Sequence, residues 1–115
     1  MLKIAHRGLS QHYPDNSKQA FIEAIRNGFD MLEVDIQLCK NNNIVIFHDT
    51  YFLSKSIDEF TLKECQKNGM MSLNNFFSFV DTTKTKVFLD IKGSAEISKY
   101  LVELLLQNNV YFPNI

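Results

Sequence analysis

The chain contains no tryptophan, and only two prolines, four glycines and two cysteines among 115 residues. So little proline and glycine excludes a collagen-like or low-complexity chain, while 45% hydrophobic residues supply one modest core. The two cysteines, Cys39 and Cys65, have no metal-binding or CxxC spacing, so we expect free thiols and a reducing cytoplasm. Apolar residues of the first strand begin at Leu2, so no signal peptide is expected. No run approaches the ~18 apolar residues of a membrane span, so no integral membrane segment is expected. Neither sign of charge dominates: 12 Lys and Arg stand against 13 Asp and Glu, for a formal net charge of -1. The scattered basic residues exclude an electrostatic footprint for nucleic acid or an anionic membrane. Function must therefore come from local clusters within a single domain, residues 1–115.

Apolar periodicity switches repeatedly between the two-residue repeat of strands and the helical one. Leu2 to Ala5 reads as a first strand, closed by His6-Arg7-Gly8. Asn16-Ser17-Lys18-Gln19 resembles a helix-capping sequence, with Ala20, Phe21, Ala24 and Ile25 at helical spacing and Gly28 past the end. Met31 to Leu38 reads as a second strand, Lys40 to Asn43 as a turn and Ile44 to Phe47 as a third strand. Helices follow at Thr61 and at Ser72, the second burying Leu73, Phe76, Phe77 and Val80. Val87 to Ile91 is a fourth strand, Ser94 opens a long helix striped by Ile97, Leu101, Leu104 and Leu105, and Val110-Tyr111-Phe112 resembles the start of a fifth strand. Strands separated by helices imply a mainly parallel α/β sheet. The link between the second and third strands is short for a parallel crossover, which leaves a hairpin or a helix-free crossover open.

Three polar clusters close candidate strands: His6-Arg7-Gly8, Glu33 with Asp35, and His48-Asp49. Alternation along Met31 to Ile36 puts Glu33 and Asp35 on one face and Leu32, Val34 and Ile36 on the other. Facing carboxylates near histidines suit a hard divalent cation and proton transfer. Simpler roles compete. A histidine at a strand end is often only a hydrogen-bonded structural residue, and Asp90 and Lys92 form an i, i+2 pair that fits an ordinary ion pair. His12 lacks motif support and reads as a loop residue.

Taken together, His6-Arg7-Gly8, Pro14-Asp15-Asn16-Ser17 followed by Ala20-Phe21 and Ala24, Gly28, Glu33-Val34-Asp35, His48-Asp49 and Leu89-Asp90-Ile91-Lys92 resemble the glycerophosphodiester phosphodiesterase family in order and spacing. That resemblance implies a TIM (β/α)8 barrel of the phospholipase C-like phosphodiesterase superfamily, hydrolysing glycerophosphodiesters to glycerol 3-phosphate and an alcohol with a divalent cation, Mg or Ca. It implies His6 and His48 as the catalytic pair, Arg7 and Lys92 on the substrate phosphate, and Glu33, Asp35 and Asp90 as metal ligands. Asp90 replaces a Glu of the family pattern, and being one methylene shorter it suits the looser coordination of Ca better than the strict geometry of Mg.

A (β/α)8 barrel typically takes ~250 residues, so this chain is expected to be the N-terminal half, about four βα units. An open half-barrel leaves edges and an inner wall uncovered, which leads us to expect a homodimer or a missing C-terminal half-barrel as partner. A truncated module without activity and a related phospholipid phosphodiesterase are the alternatives to a glycerophosphodiesterase.

Overall fold

The computed structural model describes residues 2–110, and its architecture follows from one long strand. The strands are β1 (Ile4–His6), β2 (Met31–Leu38), β3 (Ile44–Ile46), β4 (Tyr51–Phe52), β5 (Lys55–Ser56), β6 (Met71–Ser72) and β7 (Lys86–Ile91). The helices are α1 (Lys18–Arg26), α2 (Leu62–Lys67), α3 (Leu73–Phe79) and α4 (Ile97–Gln107). Parallel partners flank β2 on both sides: β1 places His6 opposite Glu33, and β7 places Asp90 opposite Asp35. Past these pairings the end of β2 turns back into β3 as an antiparallel hairpin, and β6 extends β3. The hairpin alternative is therefore the one realised. Its turn runs through Asn41 and Asn42 with φ of 64° and 62°, a left-handed conformation that asparagine tolerates better than most residues. The Phe47 N–H donates to the Asp35 carbonyl at 3.1 Å, so His48 lies one residue beyond the position opposite Asp35.

Leu32, Val34 and Ile36 are fully buried against the helices, and with Phe21, Leu73, Phe76 and Ile97 they form the main core. Phe76 stands edge-on to Phe21 at 5.0 Å, a favourable quadrupole arrangement. Ser17 caps α1 by accepting from the Ala20 N–H at 3.1 Å, and Ser72 caps α3 in the same way through Asn75. Thr61 and Glu64 exchange reciprocal bonds at the start of α2, as the sequence leads one to expect. α4 begins at Ile97 rather than at Ser94, whose hydroxyl accepts from the Glu96 N–H. Of the expected fifth strand, Val110 is buried, while Tyr111 and Phe112 lie outside the described residues. No helix among the described residues is long and apolar enough to cross a membrane.

The β4–β5 ribbon has no sequence signature, because its turn uses Leu53 and Ser54 at φ of 49° and 64° where asparagine or glycine is favoured. Packing holds it instead. Phe52 stacks edge-on against Phe47 at 5.8 Å and lies 6.1 Å from Phe60, joining a second core cluster that contains Cys39, Ile57, Cys65 and Met70. Both cysteines are free. Burial, reinforced by the neighbouring Cys65, pushes the Cys39 thiol up to about 12. An acid whose pKa is raised by folding releases its proton more readily when unfolded, so this thiol reduces stability as pH climbs past its ordinary value of 9.

Gly8 joins this scaffold to the site. Its φ is +79°, and a Cβ there would lie 2.6 Å from the Ala20 carbonyl carbon, because α1 packs directly on the turn after β1. Gly8→Ala is expected to lower unfolding free energy by about 2 kcal/mol or more, combining strained backbone with overpacking, as read by urea unfolding. Ellman's reagent at pH 8 should leave Cys39 and Cys65 unmodified until denaturant is added; rapid labelling of the folded chain would contradict their burial.

Candidate active site

Alternation along β2 turns Glu33, Asp35 and Gln37 to the face opposite the helix-packed core. Asp35 is 1% exposed, so its charge needs partners. Arg7, in left-handed backbone (φ 54°) just after β1, brings Nε to 3.0 Å from Asp35 Oδ2. Asn16 Nδ2 donates to the same oxygen at 3.0 Å. Lys92, just past the end of β7, places Nζ 3.1 Å from Asp90 Oδ2 and 3.9 Å from Asp35 Oδ1. The expected ion pair of Asp90 and Lys92 thus exists, but within the carboxylate cluster rather than apart from it. One oxygen from each of Glu33, Asp35 and Asp90 lies within 4.8 Å of the others, an arrangement that fits a shared cation.

The histidines come from two different strand ends beside β2. His6 faces Glu33 across the β1–β2 pairing, with Nδ1 2.9 Å from the Glu33 carboxylate and its ring exposed. His48 follows β3 with Nδ1 2.8 Å from Asp49 Oδ1, and it shares a shallow depression with Lys92 and Tyr51. Gln37 pins this segment, its Nε2 donating to the carbonyls of Phe47 and Asp49 at 2.9 and 2.7 Å. Arg7 Nη1 is held by Asp15 at 2.9 Å. That hydrogen bond, opposed by burial and supported by the charge of Asp35, raises the guanidinium pKa above its ordinary value.

All seven residues singled out from the sequence therefore gather around the middle of β2, the carboxyl ends of β1 and β7, and the segment just after β3. His12 lies elsewhere, in a depression with Tyr13, Glu23 and Phe29. Three participants escaped the sequence reading as site residues: Asp15, Asn16 and Gln37. Gln37 continues the alternation of Glu33 and Asp35, which is the signal that would have found it. Asp15 and Asn16 carried no periodic signal, since they sit in a loop.

Polar groups thus converge near the carboxyl ends of parallel strands, the place where (β/α)-barrel enzymes carry their active sites. The chain belongs to the glycerophosphoryl diester phosphodiesterase family, whose model matches residues 6–108. It is similar to a glycerophosphodiester phosphodiesterase of Bacillus altitudinis, with 28% identity over the whole chain and 49% of the relative. With a glycerophosphodiester phosphodiesterase of Caldanaerobacter subterraneus it shares 39% identity over 57% of this chain and 29% of the relative. The solved glycerophosphodiester phosphodiesterase of Thermotoga maritima superposes with a TM-score of 0.84 at 25% identity, covering 93% of this chain and 50% of that one. The chain thus spans at most about half the length of these relatives. Calorimetric titration with Ca²⁺ and Mg²⁺ should show binding that Glu33→Gln abolishes, and equal binding by the two proteins would remove Glu33 from the cation site.

Proposed function

We propose that the chain carries the catalytic half of a cation-dependent phosphodiesterase that converts glycerophosphodiesters to glycerol 3-phosphate and an alcohol. The observation that supports this most is the grouping of Glu33, Asp35 and Asp90 oxygens within 4.8 Å, beside Arg7, Lys92 and two histidines. A divalent cation bound there would neutralise charge on the phosphoryl oxygens. The remaining N–H groups of Arg7, with Lys92, bind and orient the phosphate. An Nδ1–H of His6 donated to Glu33 leaves Nε2 with a lone pair, suited to take a proton from the nucleophile. Protonated His48 then gives a proton to the departing alkoxide as the phosphorus–oxygen bond breaks. The relatives named glycerophosphodiester phosphodiesterases support the substrate class.

In this reading residues 1–115 form one partial domain whose inner wall is covered by a C-terminal half-barrel or by a second copy. Ile4 and Phe88, on the same face as His6 and Asp90, are 49% and 52% exposed. Neither β1 nor β7 has a strand on its outer edge among the described residues.

With glycerophosphocholine or glycerophosphoethanolamine as substrate, His6→Ala and His48→Ala should each cut turnover by ~10²- to 10⁴-fold while the circular dichroism spectrum stays unchanged. Full turnover in either variant would remove that histidine from the mechanism. Cation binding without any hydrolysis by the wild type would favour a binding module. A polypeptide of residues 1–115 should self-associate in light scattering, with a melting temperature that rises with concentration; a monodisperse monomer with concentration-independent melting would show that the inner wall needs no cover.

A further inference from the structure

We infer that Asn16 is a positioning residue of the cation site, holding Asp35 so that Oδ2 is engaged by protein donors and Oδ1 is presented to the metal. The inference rests on the reading that Glu33, Asp35 and Asp90 hold a cation. Asn16 is 8% exposed and lies in left-handed backbone at φ 59°, with its N–H donating to the Arg7 carbonyl at 2.8 Å. That bond closes the loop between β1 and α1, so the side chain enters the site from a fixed position. Its Nδ2 donates to Asp35 Oδ2, which Arg7 Nε also approaches. Both contacts fall on one oxygen. Asp35 Oδ1 receives no hydrogen bond and is only within 3.9 Å of Lys92 Nζ.

The buried side-chain polar atoms without a hydrogen-bond partner among the described residues are Asn16 Oδ1, Asp35 Oδ1 and Arg7 Nε, the last ion-paired with Asp35 Oδ2 at 3.0 Å but not in hydrogen-bonding geometry. All belong to this one group. Such atoms are rare in folded proteins because each carries an uncompensated desolvation cost. Their concentration around a single carboxylate marks a place built to receive a further polar group. A carboxylate with both oxygens free could rotate and offer either one. The carboxamide of Asn16 removes that freedom, and ordering of this kind around a ligand typically changes metal affinity 10- to 100-fold.

Glycine accepts the left-handed backbone of position 16, so Asn16→Gly deletes the carboxamide while keeping the loop conformation accessible. Asn41, exposed in the β2–β3 turn at φ 64°, provides the matched control. By calorimetry Asn16→Gly should bind Ca²⁺ and Mg²⁺ at least 10-fold more weakly than the wild type, and Asn41→Gly should bind like the wild type. Hydrolysis by Asn16→Gly should recover as the cation is raised, which a collapsed site would not allow. Binding by Asn16→Gly within twofold of the wild type, or hydrolysis that stays low at saturating cation, would overturn the inference. Should this variant not fold, the side-chain amide resonance of Asn16 in the wild-type protein decides: it should shift saturably with added Ca²⁺, and an unmoved resonance overturns the assignment. A wild-type chain that binds neither cation would overturn the cation reading itself, and this inference with it.

Discussion

The burial of one carboxylate governs the arrangement around it. Asp35 is nearly inaccessible, and an isolated charge there would cost several kcal/mol. The fold answers with groups from three directions: Arg7 from the end of β1, Asn16 from the loop before α1, and Lys92 from the end of β7. Their convergence requires that β1 and β7 both run parallel to β2 with the observed register. A one-residue slip of β7 would carry Asp90 to the helix-packed face and remove it from the cluster. The register that buries Val87 is therefore the one that places Asp90 beside Asp35.

The same register explains why the chemistry gathers in so short a chain. Residues alternate between the helix-packed core and the inner wall along every strand, so each of β1, β2 and β7 contributes polar groups near its carboxyl end while its other face stabilises the sheet. The β2–β3 hairpin adds His48 without requiring another crossover helix. Gln37 fastens the backbone on both sides of that histidine, making its placement depend on the same strand that carries the acids. Arg7 is likewise held twice, by Asp15 and Asp35, so its planar fork is oriented before any phosphate arrives.

Local patterns sufficed for the helices capped by Ser17, Thr61 and Ser72, for the span of β2, and for the face shared by Glu33 and Asp35. These depend on interactions within a few residues or on strict alternation, which a sequence displays directly. His6, Arg7 and His48 stood out as polar clusters closing candidate strands, but their roles, like those of Asp90 and Lys92, came from the ordered motif set, because no periodicity links positions separated by tens of residues. The direction of β3 was undetermined by spacing and was decided by the left-handed pair Asn41-Asn42 and the pairing with the end of β2. The β4–β5 ribbon stayed hidden because tertiary stacking of Phe52 against Phe47 and Phe60 overrides an unfavourable Leu53-Ser54 turn. Asp15 and Asn16 acquired roles only once α1 packed against Gly8 and brought the preceding loop back over β2. Sequence by itself determined which residue types were available and which face of each element they occupy; only the tertiary structure decided which oxygen of Asp35 is engaged and by whom, since hydrogen bonding depends on distances that long-range chain packing alone sets.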